Sequence, residues 1–177
     1  MSKLLIVVDY QNDFVSGSLG FQKAVQLEEN IVNKIESYRK NNDEIVFTFD
    51  THEENYLTTQ EGLNLPIAHC AKDTWGWQLY GKVAAYCTEN TKSFYKGSFG
   101  SIQLADYLKS KSYESIELVG VVTNICVISN AIIAKTALPE TKVIVDASCV
   151  ASNDESLNDK ALDVMQSLQV DIINRNE

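Results

Sequence analysis

The chain lacks the features that would place it in a membrane, on nucleic acid or in a disulfide-bonded scaffold. No apolar stretch approaches the roughly 18 residues that span a bilayer. Lysine and arginine total 15 against 24 acidic residues, and the formal net charge of −9 argues against the clustered basic face that nucleic acid or an anionic membrane requires. The 4 cysteines contain no CxxC pair, so we expect free thiols in a reducing compartment.

Signals for linkers and repeats are missing as well. With 2 prolines and 8 glycines, the chain shows no Pro/Gly/Ser-rich linker and no internal repeat. A length of 177 residues with 45% hydrophobic content suits one domain, spanning residues 1–177, with a sizeable core. The first residues show no signal-type cleavage site. We therefore expect a cytoplasmic protein whose partner is a small molecule, not a nucleic acid or a membrane.

Short apolar, β-branched runs recur along the chain, with helical patterns between them. Strands buried on both faces of a parallel sheet need such continuous runs, whereas half-exposed antiparallel strands would alternate. Between the runs, apolar residues repeat at helical spacing from Leu27 to Tyr38, at Leu104 and Leu108, and from Leu157 to Leu168. We predict an α/β fold of three αβα layers with a mostly parallel central sheet. The predicted strands are 4–8, 44–49, 116–121, 143–145 and 170–173.

The region between Thr51 and Thr91 is different, because its periodicity fades and only residues 77–86 suggest a helix. A long insertion of this kind usually serves a binding or catalytic site. Both histidines of the chain, His52 and His69, lie in it. Together with Asp50 and Glu61 they form a mixed nitrogen and oxygen donor set suited to zinc, manganese or iron. The alternative is a pair of solvated or structurally hydrogen-bonded histidines.

A candidate nucleophile follows the third predicted strand. Cys126 comes where a helical pattern begins, and the positive end of a helix dipole favours thiolate over thiol. In an open parallel sheet, ligands bind beyond the carboxyl ends of the strands, where Asp9 also lies. Asp9 would accept the thiol proton and return it to a leaving amine. The alternative is a buried structural cysteine, since cysteine is among the most buried residue types.

Five blocks of sequence carry a resemblance to a known family. They are Asp9–Phe14, Asp50-x-His52, Leu65–Cys70, Tyr95–Ser101 and Gly120–Val127. In their order and spacing, which cover nearly the whole chain, they resemble the isochorismatase-like cysteine hydrolases, a family that includes the nicotinamidases. The resemblance implies a catalytic set of Asp9, Lys96 and Cys126. It also implies a cis peptide before Val122 and an oxyanion hole formed by the backbone N–H groups of Val122 and Cys126.

The same resemblance implies a reaction and a cofactor. The expected reaction is hydrolysis of a small carboxamide through a thioester, with nicotinamide as substrate and NAD salvage as the setting. It implies a divalent metal ion held by Asp50, His52, Glu61 and His69, and an assembly of identical subunits. Phe14, Trp75 and Trp77 are the aromatic candidates for stacking on a flat substrate ring.

Three alternatives stay open at this stage. Lys92 competes with Lys96 for the catalytic lysine, because it lies only four residues earlier. The substrate would be another small amide or a carbamoyl compound if the pocket differs, and Lys72-Asp73 stands where relatives have a more glycine-rich turn. A non-catalytic homologue that binds a metabolite is the third alternative.

Overall fold

The computed structural model describes residues 2–175. Its strands are β1 (Leu4–Val8), β2 (Glu44–Asp50), β3 (Ser93–Lys96), β4 (Ser115–Val121), β5 (Lys142–Ala151) and β6 (Asp171–Ile173). They form one six-stranded sheet in the order β3-β2-β1-β4-β5-β6, and every pair of neighbours is parallel. The α/β fold with a parallel central sheet that the sequence predicts is therefore confirmed.

Helices cover both faces of this sheet. They are α1 (Asn12–Val15), α2 (Gln22–Gln26), α3 (Glu28–Lys40), α4 (Gln60–Asn64), α5 (Ile102–Lys109), α6 (Ile128–Ala137) and α7 (Glu155–Ser167). Within residues 2–175, no helix has both the length and the apolar character that crossing a bilayer requires. The hydroxyl of Ser101 and the carboxylate of Asp154 cap α5 and α7 by accepting backbone N–H bonds, which fixes where these helices begin.

The core lies in two layers on either side of β1, whose five residues are all fully buried. Alternate side chains of β1 point to opposite faces, so Leu4 and Ile6 pack with α5, α6 and α7 while Leu5 and Val7 pack with α1, α2 and α3. Each buried Leu or Ile side chain stabilises the fold by about 1.5–3 kcal/mol. This double burial explains why the strand has no polar residue.

The predicted set of strands needs two corrections. The sequence analysis missed β3, because its four residues alternate between buried and exposed positions and form only an edge strand. β5 runs on to Ala151, well past the predicted end at residue 145. Its continuation contains the polar residues Asp146 and Ser148, but Asp146 is only 1% exposed and accepts two hydrogen bonds from Ser148.

Gly120 allows β1 and β4 to approach closely near their carboxyl ends. Its φ is +115°, and a Cβ atom there would lie 2.0 Å from the Val8 carbonyl oxygen. Only glycine adopts this conformation without strain. The absence of a side chain thus brings the segment after β4 next to the segment after β1, which is where the candidate site lies.

Candidate active site

Asp9, Lys96 and Cys126 meet at the carboxyl edge of the sheet. Asp9 follows β1, Lys96 ends β3, and Cys126 lies in the turn after β4. The Lys96 Nζ atom is 2.6 Å from Asp9 Oδ2 and 3.5 Å from Cys126 Sγ. All three side chains are buried, with 0%, 4% and 5% of Asp9, Lys96 and Cys126 exposed. Parallel strands end at the same edge, which explains how residues so far apart in sequence converge.

The structure separates the two lysine candidates. Lys92 precedes β3, and its Nζ lies over the rings of Phe94 and Tyr107 at 5.4 and 5.8 Å. Four residues of strand cover roughly 13 Å, so the two lysines lie at opposite ends of β3. Of the pair, Lys96 is the one that the structure brings to Asp9 and Cys126.

Burial controls the charge states in this cluster. It raises the pKa of the Cys126 thiol well above its ordinary value; the Asp9 carboxylate adds to this rise and Lys96 opposes it. Burial therefore opposes the thiolate that the helix N-terminus and Lys96 favour. Burial also raises the pKa of Asp9 against the lowering effect of Lys96. Burial alone would lower the pKa of Lys96, but the neighbouring Asp9 and Cys126 raise it, so the ammonium stays charged.

Thr48 fixes the orientation of Asp9 and was missed by the sequence analysis. Its Oγ1 donates a 2.6 Å hydrogen bond to Asp9 Oδ1, and its carbonyl oxygen accepts from the Asp9 backbone N–H at 3.2 Å. Asp9 has a φ of +43°, an uncommon conformation for a residue other than glycine. These contacts leave Asp9 Oδ2 directed at Lys96. A polar residue within a β-strand gives no sequence signal for such a role.

The nucleophile turn consists of residues Thr123–Val127, which form one π-helical turn before α6. The peptide bond between Val121 and Val122 is cis, as the family resemblance implies. Val122 and Cys126 line the same cavity. Their backbone N–H groups are the predicted oxyanion hole, and this role stays a prediction.

Asn130 joins this turn to the loop that follows Lys96. Its Nδ2 donates to the carbonyl oxygens of Cys126 at 2.8 Å and Phe99 at 3.2 Å, and its Oδ1 accepts from the Ser101 N–H at 3.0 Å. The side chain is fully buried. Because one amide makes all three bonds, the positions of the turn and the loop depend on each other.

Beside this cluster lies the predicted metal-ligand set. Ligand atoms of Asp50, His52, Glu61 and His69 all lie within 4.8 Å of one another. The Nε2 atoms of His52 and His69 are 2.8 and 3.3 Å from Asp50 Oδ2. They are 3.7 and 3.6 Å from Glu61 Oε1. His69 Nδ1 donates to the Ile67 carbonyl at 2.7 Å, which leaves Nε2 available as a ligand.

Local structure and charge make this set suitable for a divalent cation. Glu61 lies in the first turn of α4, which begins there because the Thr59 hydroxyl accepts the Gly62 N–H at 3.0 Å. Burial, with the Asp50 carboxylate, raises the pKa of Glu61. A bound cation would relieve this repulsion, and two imidazole nitrogens with two carboxylate oxygens fit zinc, manganese or iron.

Cys126 and three members of the metal-ligand set, Asp50, Glu61 and His69, face a common cavity of about 200 Å³. Its polar lining is Asp50, Glu61, His69, Cys126 and Asn153. The rest of its wall is apolar and partly aromatic, formed by Phe14, Leu19, Phe21, Leu65, Phe99, Val122 and Ile125. Such a mixture of apolar wall and few polar groups is typical of a small-molecule site.

Of the three aromatic candidates, the structure places only Phe14 in this cavity. Trp75 is 59% exposed, and its backbone carbonyl accepts from Asn12. Trp77 stacks on Tyr95 at 5.6 Å, and its indole N–H donates to Thr51. Neither tryptophan lines the cavity, since Trp75 faces solvent and Trp77 packs against Tyr95 of β3. Phe21 and Phe99 line it instead, and Phe99 was within reach of the sequence analysis since it lies in the Lys96 block.

A parallel α/β sheet with a buried cysteine, carboxylate and lysine at its carboxyl edge is the arrangement of a cysteine-dependent hydrolase. The isochorismatase domain model matches residues 3–177, and the chain therefore belongs to the isochorismatase family.

The chain is similar to proteins of this family along its whole length. It is 26% identical to a nicotinamidase of Saccharomyces cerevisiae, over 98% of this chain and 100% of that protein. The crystal structure of a pyrazinamidase/nicotinamidase from Streptococcus mutans matches with a TM-score of 0.86 and 29% identity, over 97% of this chain and 100% of that one. A pyrazinamidase of Pyrococcus horikoshii in complex with zinc has the same fold, with a TM-score of 0.85 and 23% identity over 99% and 100% of the two chains.

Proposed function

We propose that this chain is a cysteine amidohydrolase that converts nicotinamide to nicotinate and ammonia through a thioester. The observation that carries the proposal is the buried cluster of Asp9, Lys96 and Cys126 beside a small cavity with apolar walls. The similarity to the S. cerevisiae nicotinamidase and the S. mutans pyrazinamidase/nicotinamidase supports the choice of substrate.

In the first half of the reaction, Cys126 Sγ attacks the carboxamide carbon as its proton passes to Asp9. Because burial raises the pKa of the thiol, the attack depends on a base that accepts this proton. The carbonyl oxygen becomes an oxyanion, which the backbone N–H groups of Val122 and Cys126 would hold. Asp9 then gives its proton to the amine nitrogen, the C–N bond breaks, ammonia leaves and the thioester forms.

In the second half, water attacks the thioester carbon and Asp9 takes one of its protons. The C–S bond breaks, the acid is released and the proton returns to Cys126 Sγ. Lys96, 2.6 Å from Asp9 Oδ2 and 3.5 Å from Cys126 Sγ, stabilises the negative charge that moves between these two groups. It stays charged because its anionic neighbours raise its pKa.

We assign Asp50, His52, Glu61 and His69 as ligands of a divalent metal ion, with zinc, manganese and iron all compatible with the donor set. When bound, the ion would supply a Lewis-acidic site for the ring nitrogen of the substrate and for water. The zinc found in the P. horikoshii pyrazinamidase, which shares this fold, supports the assignment.

The lining of the cavity favours a neutral, flat substrate. Among residues 2–175, no arginine or lysine side chain lines it, so no cationic side chain is available there to pair with a substrate carboxylate. Phe14, Phe21 and Phe99 provide flat apolar surface, and Asn153 provides a neutral amide. A neutral aromatic amide fits these walls better than a carbamoyl amino acid does, which places the carbamoyl alternative second.

The test is ammonia release from nicotinamide by metal-loaded wild-type protein, with nicotinate measured by chromatography. Cys126→Ala should abolish release. The matched control is Cys149→Ala, since Cys149 is also buried, at 1% exposed, but lies outside the cavity. Ammonia from other small amides without turnover of nicotinamide would shift the assignment to the alternative substrate class. Nicotinamide binding without turnover of any amide would identify a metabolite-binding protein.

We further propose that residues 1–177 form a single domain that acts in NAD salvage. The match of the family model to residues 3–177 and the single sheet support one domain. Cytoplasmic location and an assembly of identical subunits stay predictions, which cell fractionation and light scattering of the purified protein would check.

A further inference from the structure

The segment that follows the catalytic base contacts the long insertion through side chains that the mechanism does not use. Gln11 is fully buried, Asn12 is 7% exposed and Asp13 is half-buried. Polar side chains at such depth must find partners, because an unpaired buried group costs about 1–3 kcal/mol. Their partners show which parts of the site this segment holds.

Gln11 holds the backbone of Asp50. Its Oε1 accepts from the Asp50 N–H at 2.8 Å, and its Nε2 donates to the Asp50 carbonyl at 2.9 Å. The same Nε2 donates to the Trp77 carbonyl at 2.8 Å. β1 pairs with β2 only as far as Val8 and Thr48, so the amide of Gln11 replaces the missing strand partner where β2 ends. The position of Asp50 therefore depends on this side chain.

Asp13 holds the main chain at Cys70, the residue through which the backbones of His52 and His69 are connected. Its Oδ2 accepts from the Cys70 N–H at 2.8 Å, directly after His69. The Cys70 carbonyl in turn accepts from the His52 N–H at 3.0 Å. Cys70 has a φ of +45°, a conformation that a residue other than glycine adopts only when its surroundings hold it. Asp13 thus fixes the main chain of both histidines through one residue.

We propose that Gln11 and Asp13 are positioning residues that set the geometry of the metal-ligand set. Neither would touch the metal ion; Gln11 acts through Asp50, and Asp13 acts through Cys70 on His52 and His69. The proposal rests on the proposed function in taking these residues as ligands. On this proposal, the segment after β1 has two roles, since it supplies Asp9 as the base and also positions the metal-ligand set.

Asn12 provides a matched control within the same segment. Its Nδ2 donates to the Trp75 carbonyl at 2.7 Å, so it also ties the segment to the insertion. Trp75 is not a member of the metal-ligand set, and it takes no part in the bonds that link Gln11 to Asp50 or Asp13 to Cys70. Removing this bond tests general attachment of the insertion without disturbing the ligands.

The experiment measures the dissociation constants of Zn²⁺ and Co²⁺ for chelator-treated full-length proteins, by competition with a chromophoric chelator. Gln11→Met and Asp13→Leu should raise both constants about 10- to 100-fold, the effect typical of residues that orient metal ligands. The Co²⁺ absorption bands should also change, since they report ligand geometry. Asp13→Asn retains an acceptor and should restore most of the affinity. Asn12→Leu should bind both ions as the wild type does.

Three results would overturn the proposal. Wild-type affinity and an unchanged Co²⁺ spectrum in Gln11→Met and Asp13→Leu would show that these residues do not set the ligand geometry. An equal loss in Asn12→Leu would show that attachment of the insertion, not positioning of ligands, determines affinity. If the wild-type protein bound neither ion, the assignment of the metal-ligand set would itself be wrong. If the wild-type protein bound metal but did not turn over nicotinamide, only the proposed substrate would be wrong. Circular dichroism of each metal-free variant identifies any that fails to fold, in which case Gln11→Ala and Asp13→Ala, which also lack the hydrogen-bonding groups, take its place.

Discussion

The contact between Thr48 and Asp9 gives the sharpest test of the proposal that Asp9 is the catalytic base. Thr48 donates its only hydroxyl hydrogen to Asp9 Oδ1 at 2.6 Å, and both side chains are fully buried. A proton that arrives from Cys126 must then reside on Oδ2, the oxygen 2.6 Å from Lys96 Nζ. Thr48→Val keeps the shape of the side chain and removes the donor, so Asp9 loses both its fixed orientation and a partner for its anionic form.

The magnitude follows from the charge on the acceptor. A hydrogen bond to a charged group contributes about 1.5–3 kcal/mol. If this energy appears fully in the barrier, at about 1.36 kcal/mol for each tenfold change, kcat falls by about 10- to 150-fold. The bond also lowers the pKa of Asp9, so its loss should move the acidic limb of the kcat/KM profile to higher pH. KM for nicotinamide should change little, because Thr48 does not line the cavity.

The assay is steady-state ammonia release from nicotinamide across a range of pH, with Thr48→Ser as the conservative control that keeps the hydroxyl. Thr48→Ser should retain most of the wild-type kcat and its pH profile. The reasoning is refuted if Thr48→Val keeps kcat within threefold of wild type, or if the serine and valine variants lose activity equally. Thermal melting of both variants separates a loss of kcat from a loss of folded protein.

Three further predictions concern the catalytic lysine, the sheet and its buried charges. Lys96→Met should abolish amide hydrolysis while Lys92→Met keeps it, as measured by ammonia release; the reverse pattern would reassign the lysine. Gly120→Ala should destabilise the protein by about 3 kcal/mol or more in urea unfolding, because its Cβ would meet a carbonyl at a positive φ, and a loss below about 1 kcal/mol would contradict this. Desolvation alone would raise the pKa of Asp146, but bonds from Lys34 and other donors lower it below its ordinary value of 3.8. The ionised carboxylate therefore stabilises the folded protein above pH 3.8, and this stabilisation is lost as the pH falls through the lower folded-state pKa. Acid titration of unfolding should therefore show a steeper loss below pH 3.8 in wild type than in Asp146→Asn.

The fold could be predicted largely because burial on both faces leaves a direct mark on sequence. β1 lies at 4–8, where its continuous apolar run indicates it. β3 leaves no such mark, since an edge strand of four residues pairs on one side and alternates in burial. The continuation of β5 through Asp146 was hidden for another reason: Lys34 pairs with this carboxylate in the folded structure, and no local pattern reveals a partner so distant in sequence.

The residues of the candidate site also fall into two groups, those that their position in the sequence marks and those that only contacts in the folded chain reveal. Asp9, Cys126 and the metal-ligand set follow strands or lie in the aperiodic insertion, so their positions alone make them candidates. Thr48 and Gln11 act through hydrogen bonds to Asp9 and Asp50, which lie 39 residues away in sequence and come into contact only in the folded chain. The two tryptophans failed as cavity residues for a related reason, because the direction of a side chain in an irregular loop depends on contacts that the sequence does not display.

Two effects act in opposite directions on the charge of Cys126. A helix N-terminus predicts a thiolate, but the thiol is only 5% exposed, and desolvation raises its pKa well above the ordinary value. A cysteine that rests as a thiol needs a base within reach at the moment of attack, and a base needs a raised proton affinity to serve. Burial supplies the second, since it also raises the pKa of Asp9, and the shared contact with Lys96 brings Asp9 close to Cys126. The water-excluded position that makes the nucleophile less acidic therefore makes Asp9 a better acceptor, and Lys96 keeps the pair together whichever of the two carries the proton.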